Sequence, residues 1–127
     1  ALALEAIDII INEKMIENVR HLEPIFMGGL KNFEDLEFIG ESRGIGLMGA
    51  LEMVQDKKNK LPFDGSISIG ERVANKCIEN GLICRPLGPS IVLCPPFITS
   101  EEEMGIIFDT LEKTLKEVFS EVKSLGQ

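Results

Sequence analysis

The chain has no tryptophan and no tyrosine, one histidine (His21) and three cysteines in 127 residues. Each shortage excludes something. Without Trp or Tyr, the aromatic platforms on which nucleobases stack are missing. One histidine and no Cys-x-x-Cys argue against a zinc site. Cys77, Cys84 and Cys94 are irregularly spaced among apolar neighbours. They are expected to be buried free thiols of a cytosolic protein, not a disulfide frame. Positive charge is short as well. Thirteen Lys and Arg against 21 Asp and Glu give a net charge of −8, which speaks against phosphate backbones and anionic membranes as partners. No apolar run approaches the roughly 20 residues of a membrane span, and no signal peptide opens the chain. The cytoplasm is the expected compartment.

What is present is an ordinary globular balance, 44% hydrophobic and 27% charged, in a length that suits one domain. The opening Ala1-Leu2-Ala3-Leu4-Glu5-Ala6-Ile7 reads as helix interior, with neither an initiator methionine nor an N-cap residue before it. A fragment of a longer polypeptide is the expectation.

Periodicity organises the rest. Leu2, Leu4, Ile7, Ile10 and Ile11 give a first helix a broad apolar face, with a break at Asn12 or Glu13. Ile16, Val19, Leu22, Phe26, Leu30 and Phe33 predict a second helix over 14–32. Pro24 either kinks that helix or opens a new one. Phe38–Arg43 and Leu47–Val54 have strand length, separated by Gly44-Ile45-Gly46. The second run is apolar on both faces except at Glu52, which suggests a central strand covered on both sides. A polar loop with Lys57, Lys58 and Lys60 follows, most simply solvated. Helix is expected over 66–80, with Asp64 or Ser66 as cap and Ile69, Val73, Ala74, Cys77 and Ile78 as its stripe. Gly81 then stops it. Two short apolar runs flank the turn Gly88-Pro89-Ser90 and read as paired strands. Ser100-Glu101-Glu102-Glu103 is a capping box. It opens a last helix with Met104, Ile107, Phe108, Leu111, Leu115, Val118 and Val122 on one face and Gly126 as its stop. The fold class is α+β, a largely antiparallel small sheet with helices packed on one face.

Catalytic signatures are scarce. Gly44-Ile45-Gly46-Leu47-Met48-Gly49 has the spacing of a phosphate loop but precedes a strand, so it offers no helix N-terminus to a phosphate. No serine or cysteine has a histidine base nearby. His21 reads as a surface or edge position. Arg20 and Arg72 read as solvated helix residues, and Arg43 as an ion pair with Glu41. Arg85 stands apart, because Leu82, Ile83, Cys84, Pro86 and Leu87 around it are apolar. A guanidinium stays charged, so in partly buried surroundings it needs an anion. Either an internal carboxylate such as Glu41 or Glu52, or a carboxylate or phosphate ligand, would serve.

The run from Glu41 to Val54, then Asp56-Lys57 and Pro62-Phe63-Asp64, resembles the C-terminal domain of class III aminotransferases. Gly81-Leu82-Ile83-x-Arg85-x-x-Gly88, continuing through Ile91-Val92-Leu93 to Pro95-Pro96, is similar to the end of that domain. The opening Ala-Leu-Glu-Ala-Ile-Asp helix matches too, so the resemblance spans nearly the whole chain. The Asp-Lys and Pro-Phe-Asp elements look most like the ω-amino acid–pyruvate (amine–pyruvate) branch. The resemblance implies the small domain of the aspartate-aminotransferase fold, in a homodimeric pyridoxal-phosphate enzyme that moves an amino group from an amine or ω-amino acid to a keto acid. It implies that Arg85 binds the substrate's α-carboxylate and can swing aside for substrates lacking one. It also implies that Arg43-Gly44 is structural, near the domain junction. In that family the Schiff-base lysine, the aspartate at the pyridine nitrogen and the phosphate loop belong to the larger domain. No catalytic, cofactor-binding or metal-binding residue is therefore expected within 1–127, and the chain alone is expected to be inactive. The competing expectation is a free-standing α+β small-molecule-binding or regulatory module.

Overall fold

The computed structural model describes residues 1–125. Its elements are α1 (Leu2–Asn12), α2 (Met15–Asn32), β1 (Ile39–Ile45), β2 (Met48–Met53), α3 (Ile69–Glu79), β3 (Arg85–Leu87), β4 (Ser90–Leu93) and α4 (Glu101–Leu125), with 3-10 turns at Phe33–Asp35 and Gly65–Ile67. The α+β expectation holds. Four antiparallel strands form one sheet in the order β1-β2-β4-β3, two hairpins laid side by side.

The long apolar stripe of α4 becomes core: Met104, Leu111 and Leu115 are fully buried. They meet Leu22, Phe26 and Leu30 of α2, Val73 of α3, and Leu51 and Ile91 of the sheet. The capping box closes in both directions. Glu103 N–H donates to Ser100 Oγ at 3.1 Å and Ser100 N–H donates to Glu103 Oε2 at 2.8 Å. Two of the helix's otherwise unpaired donor positions are thus satisfied. Helix α2 runs through Pro24 without a second start. The stop expected at Gly126 lies outside the described residues.

The pleat decides which side of the sheet meets the helices. Gly49, Leu51, Ile91 and Leu93 face them; a Cβ at Gly49 would fall 2.3 Å from Leu30 Cδ1 and 2.8 Å from Phe26. Only glycine lets α2 lie that close to β2. Ile45, Met48, Ala50, Glu52 and Val92 therefore point the other way, where no helix covers them, and Ile45 and Met48 are exposed. Strand β2 is central in the order, as its composition indicates, but the two-sided cover expected for it is absent within the described residues. Its apolar outer face is left to solvent.

Other expectations need correction. The stripe of α1 is not buried at all: no residue of that helix is buried, and Leu2, Leu4 and Ile11 are strongly exposed. Helix α3 starts later than expected, because Ser68 adopts a left-handed conformation (φ 49°) between the 3-10 turn and the helix. Asp64 caps the 3-10 turn instead, accepting from Ser66 N–H at 2.8 Å. Ile78 leaves the apolar stripe and is exposed. The first strand of the second hairpin shrinks to three residues, since 81–84 fold back against α3. Gly81 makes that reversal at φ +89°, and Leu82 N–H reaches back to Cys77 O at 2.8 Å.

Candidate functional site

Directly opposed residues in antiparallel strands share a face. The register pairs Arg43 with Ala50, Ala50 with Val92, and Val92 with Arg85. The two arginines therefore end one row across the open face. Three strand spacings of about 4.8 Å put their backbones roughly 14 Å apart, with only a methyl and an isopropyl group between.

Their electrostatic situations differ. Arg43 Nη1 donates to Glu52 Oε2 at 2.8 Å, and Glu41 Oε1 stands 3.7 Å away. The hydrogen bond to Glu52 holds this guanidinium still more firmly protonated than usual. The ion pair expected at Arg43 is there, but the carboxylate across the strand is its nearer partner. Alternation along β1 favoured Glu41; the ladder brings Glu52 of β2 closer.

Arg85 has no ion-pair or hydrogen-bond partner among the described residues, and it is exposed instead of partly buried. Its apolar neighbours in sequence mislead, because residues on either side of it in the strand point to the opposite face. Pro86 faces the helices opposite buried Ile91. Glu41 and Glu52, the conceivable internal partners, are both turned to Arg43. Strand β3 is a sheet edge, and Pro86, having no N–H, suits that position. The turn behind it is held where Gly88 takes φ +58° and Met53 N–H donates to Pro89 O at 3.1 Å.

Carboxylates of α2 and the turn after it brace the other hairpin. Gly46 N–H donates to Glu23 Oε1 at 2.7 Å. Ser42 donates to Glu34 Oε1 through its N–H at 2.9 Å and its hydroxyl at 2.6 Å. Lys31 and those Ser42 donors hold the Glu34 carboxyl down at about 2. Nothing in the spacing of Glu23 or Glu34 announces these roles, since both contacts cross between elements. Lys57, expected to be solvated, donates to the carbonyls of Glu34 and Leu36 and so ends the 3-10 turn.

The remaining candidates stay peripheral. His21 Nε2 meets Glu101 Oε1 at 2.5 Å on the surface, tying α2 to the start of α4. Arg20 and Arg72 are exposed, and Arg72 Nε donates to Ile67 O at 2.7 Å. Of the cysteines only Cys77 is fully buried; Cys84 is half-buried and Cys94 exposed, which corrects the expectation of three buried thiols. A lysine that condenses with a carbonyl must be desolvated. Every lysine here is exposed except Lys76, which is half-buried and paired with Glu79 at 2.9 Å. That pairing raises the affinity of Lys76 for its proton, the opposite of what a nucleophile needs. The described residues do not fit a pyridoxal phosphate site. What they offer is one unpaired guanidinium on an edge strand, suited to a carboxylate.

The family model of class III aminotransferases matches residues 1–115. An adenosylmethionine-8-amino-7-oxononanoate aminotransferase of Methanocaldococcus jannaschii is 36% identical over 115 residues, 91% of this chain and 25% of that protein. An omega-aminotransferase from Paracoccus denitrificans superimposes with a TM-score of 0.92 at 58% identity, over 94% of this chain and 27% of that one. The PMP-bound form of an aminotransferase from Vibrio fluvialis gives a TM-score of 0.92 at 57% identity, over 94% of this chain and 26% of the other. The chain spans about a quarter of the length of these relatives.

Proposed function

The chain belongs to the class III aminotransferases, and from that membership we propose that it is the part of an ω-aminotransferase that recognises the substrate's carboxylate through Arg85. The observation that carries this reading is the contrast along one row of the sheet. Arg43 is neutralised by Glu52, whereas Arg85 faces the same open surface with no anion of its own. A planar guanidinium accepts a carboxylate by two parallel hydrogen bonds. Held on an edge strand beyond Val92, it can turn towards a keto acid or away from an amine that has no carboxylate.

The reaction in this reading moves an amino group from an amine or ω-amino acid to a keto acid such as pyruvate. Pyridoxal phosphate, the cofactor of this family, supplies the electron sink. It would be held by the rest of the polypeptide, a larger domain that packs on the open sheet face, in a homodimer. Residues 1–127 contribute the binding and orientation of the acceptor's carboxylate.

Replacing Arg85 by Ala in the full-length enzyme tests this. A charge-assisted bond of about 1.5–3 kcal/mol corresponds to roughly a 10- to 150-fold loss of kcat/KM for pyruvate. An aldehyde acceptor without a carboxylate should lose less than about threefold. Equal losses on both acceptors would refute the assignment.

A further inference from the structure

Asn80-Gly81 is the one Asn-Gly pair in the sequence, and it stands at the reversal between α3 and β3. Asparagine is among the heat-labile residues. Before glycine it is most vulnerable, because no Cβ obstructs attack by the glycine nitrogen on the asparagine side chain. Gly81 is exposed and Asn80 half-buried, so water reaches the pair. Nothing in the carboxylate reading uses either residue. We propose that Asn80 is a spontaneous deamidation site, held back in the folded protein by hydrogen bonds from α4 and lost irreversibly once they open.

Three hydrogen bonds pin the side chain. Asn80 Nδ2 donates to Thr114 Oγ1 at 3.0 Å and to Glu117 Oε2 at 3.1 Å, and Lys113 Nζ donates to Asn80 Oδ1 at 3.1 Å. Thr114 is fully buried and donates its own proton to Thr110 O at 2.8 Å, which fixes its oxygen for Asn80. The main chain is held too. Asn80 N–H donates to Lys76 O at 3.1 Å, and Gly81 N–H donates to Ile78 O at 3.0 Å. Reaction needs the side-chain carbonyl carbon over the Gly81 nitrogen, so the bonds to α4 and the Gly81 bond must open together. The pair lies at a helix end, and such an end opens locally without global unfolding.

The chemistry balances without an oxidant. The Gly81 nitrogen bonds to Asn80 Cγ, the Cγ–Nδ2 bond breaks, and the Gly81 amide proton leaves with the side-chain nitrogen as ammonia. Water then opens the five-membered imide at either carbonyl. Attack at Cγ gives aspartate; attack at the former main-chain carbonyl gives isoaspartate, whose backbone is one carbon longer. Neither product has an N–H for Thr114 or Glu117. Each sets a new carboxylate against that of Glu117, a repulsive contact. The original hydrogen bonds therefore cannot re-form, and the change is not undone by refolding.

The test incubates the full-length protein in warm, mildly alkaline buffer, folded or in urea, and follows one tryptic peptide by mass. Trypsin does not cut the Arg85–Pro86 bond, so residues 77–113 stay together, and they contain Asn80 as their one side-chain amide. A peptide heavier by the exchange of NH2 for OH therefore reports this site alone. It should accumulate in urea and form at least roughly tenfold more slowly in the folded protein. Glu117→Ala, checked as folded by circular dichroism, removes one of the bonds and should speed the folded reaction about fivefold. Glu117→Gln keeps an accepting carbonyl and should restore most of the protection. In urea all three proteins should react alike. No heavier peptide in urea, or equal rates folded and unfolded, would overturn the proposal. So would a Glu117→Ala rate equal to the wild type's, or a Glu117→Gln rate equal to that of Glu117→Ala.

Discussion

The approach of α3 to the second hairpin rests on one hydrogen atom. Gly70 lies in the first turn of α3, and a Cβ there would fall 2.1 Å from the carbonyl oxygen of Gly88 and 3.5 Å from that of Ser90. Ordinary contact would need more than an ångström of further separation, and a backbone oxygen in a hydrogen-bonded turn cannot rotate away as a side chain can. Gly28, in α2, makes the matched control, because a Cβ there meets nothing within 4 Å. Gly28→Ala should stabilise the chain by about 0.5–1 kcal/mol through reduced backbone freedom of the unfolded state and better helix propensity. Gly70→Ala gains less of that benefit, being at the helix start, and meets an overpacking cost of about 1–3 kcal/mol. The same one-methyl change is thus expected to act in opposite directions, with the two variants about 1–4 kcal/mol apart. Without Trp or Tyr, far-ultraviolet circular dichroism is the suitable probe of urea unfolding. Two midpoints moving the same way, or a stabilising Gly70→Ala, would refute the close-approach argument. On the reading proposed for Arg85, Gly70→Ala should also displace the turn before β4 and weaken carboxylate binding.

Glu34 predicts an acid dependence. Its carboxyl is lowered from 4.5 to about 2 by Lys31 and Ser42. A depressed folded-state pKa stabilises above the unfolded value and is lost as pH falls through the folded one. The urea midpoint should therefore fall between about pH 4.5 and 2, and Glu34→Gln should flatten that part of the profile; an unchanged slope would refute the role. With no desolvated lysine among the described residues, residues 1–127 mixed with pyridoxal phosphate should show no protein-bound visible absorbance band surviving gel filtration. A band that survives gel filtration and is bleached by borohydride, with the label then covalently retained, would contradict that reading.

Much of the fold was legible because apolar period and end signals are local. The α4 stripe, the Ser100–Glu103 box and Gly81 each act within a few residues, and each is found where the pattern places it. The misreadings share one cause. Composition records that a residue is apolar, not whether anything packs on it. The outer face of β2 was expected to be covered and Ile78 to lie on the α3 stripe, yet Met48 and Ile78 are exposed, and the apolar face of α1 is uncovered as well. Arg85 erred in the opposite sense, since apolar neighbours suggested burial for a side chain that pleating turns outward.

By itself the sequence determined the α+β class, the hairpins, the end of α3, the start of α4 and the family, because short-range sterics, capping and ordered motifs need no partner from elsewhere in the chain. Only the tertiary structure decided which carboxylate takes which arginine, since strand register brings Glu52 rather than Glu41 nearest Arg43. It also placed Arg43 and Arg85 in one row across the sheet. Those relations join residues distant along the chain. Hydrogen-bond ladders and close packing set them, and no local pattern encodes either.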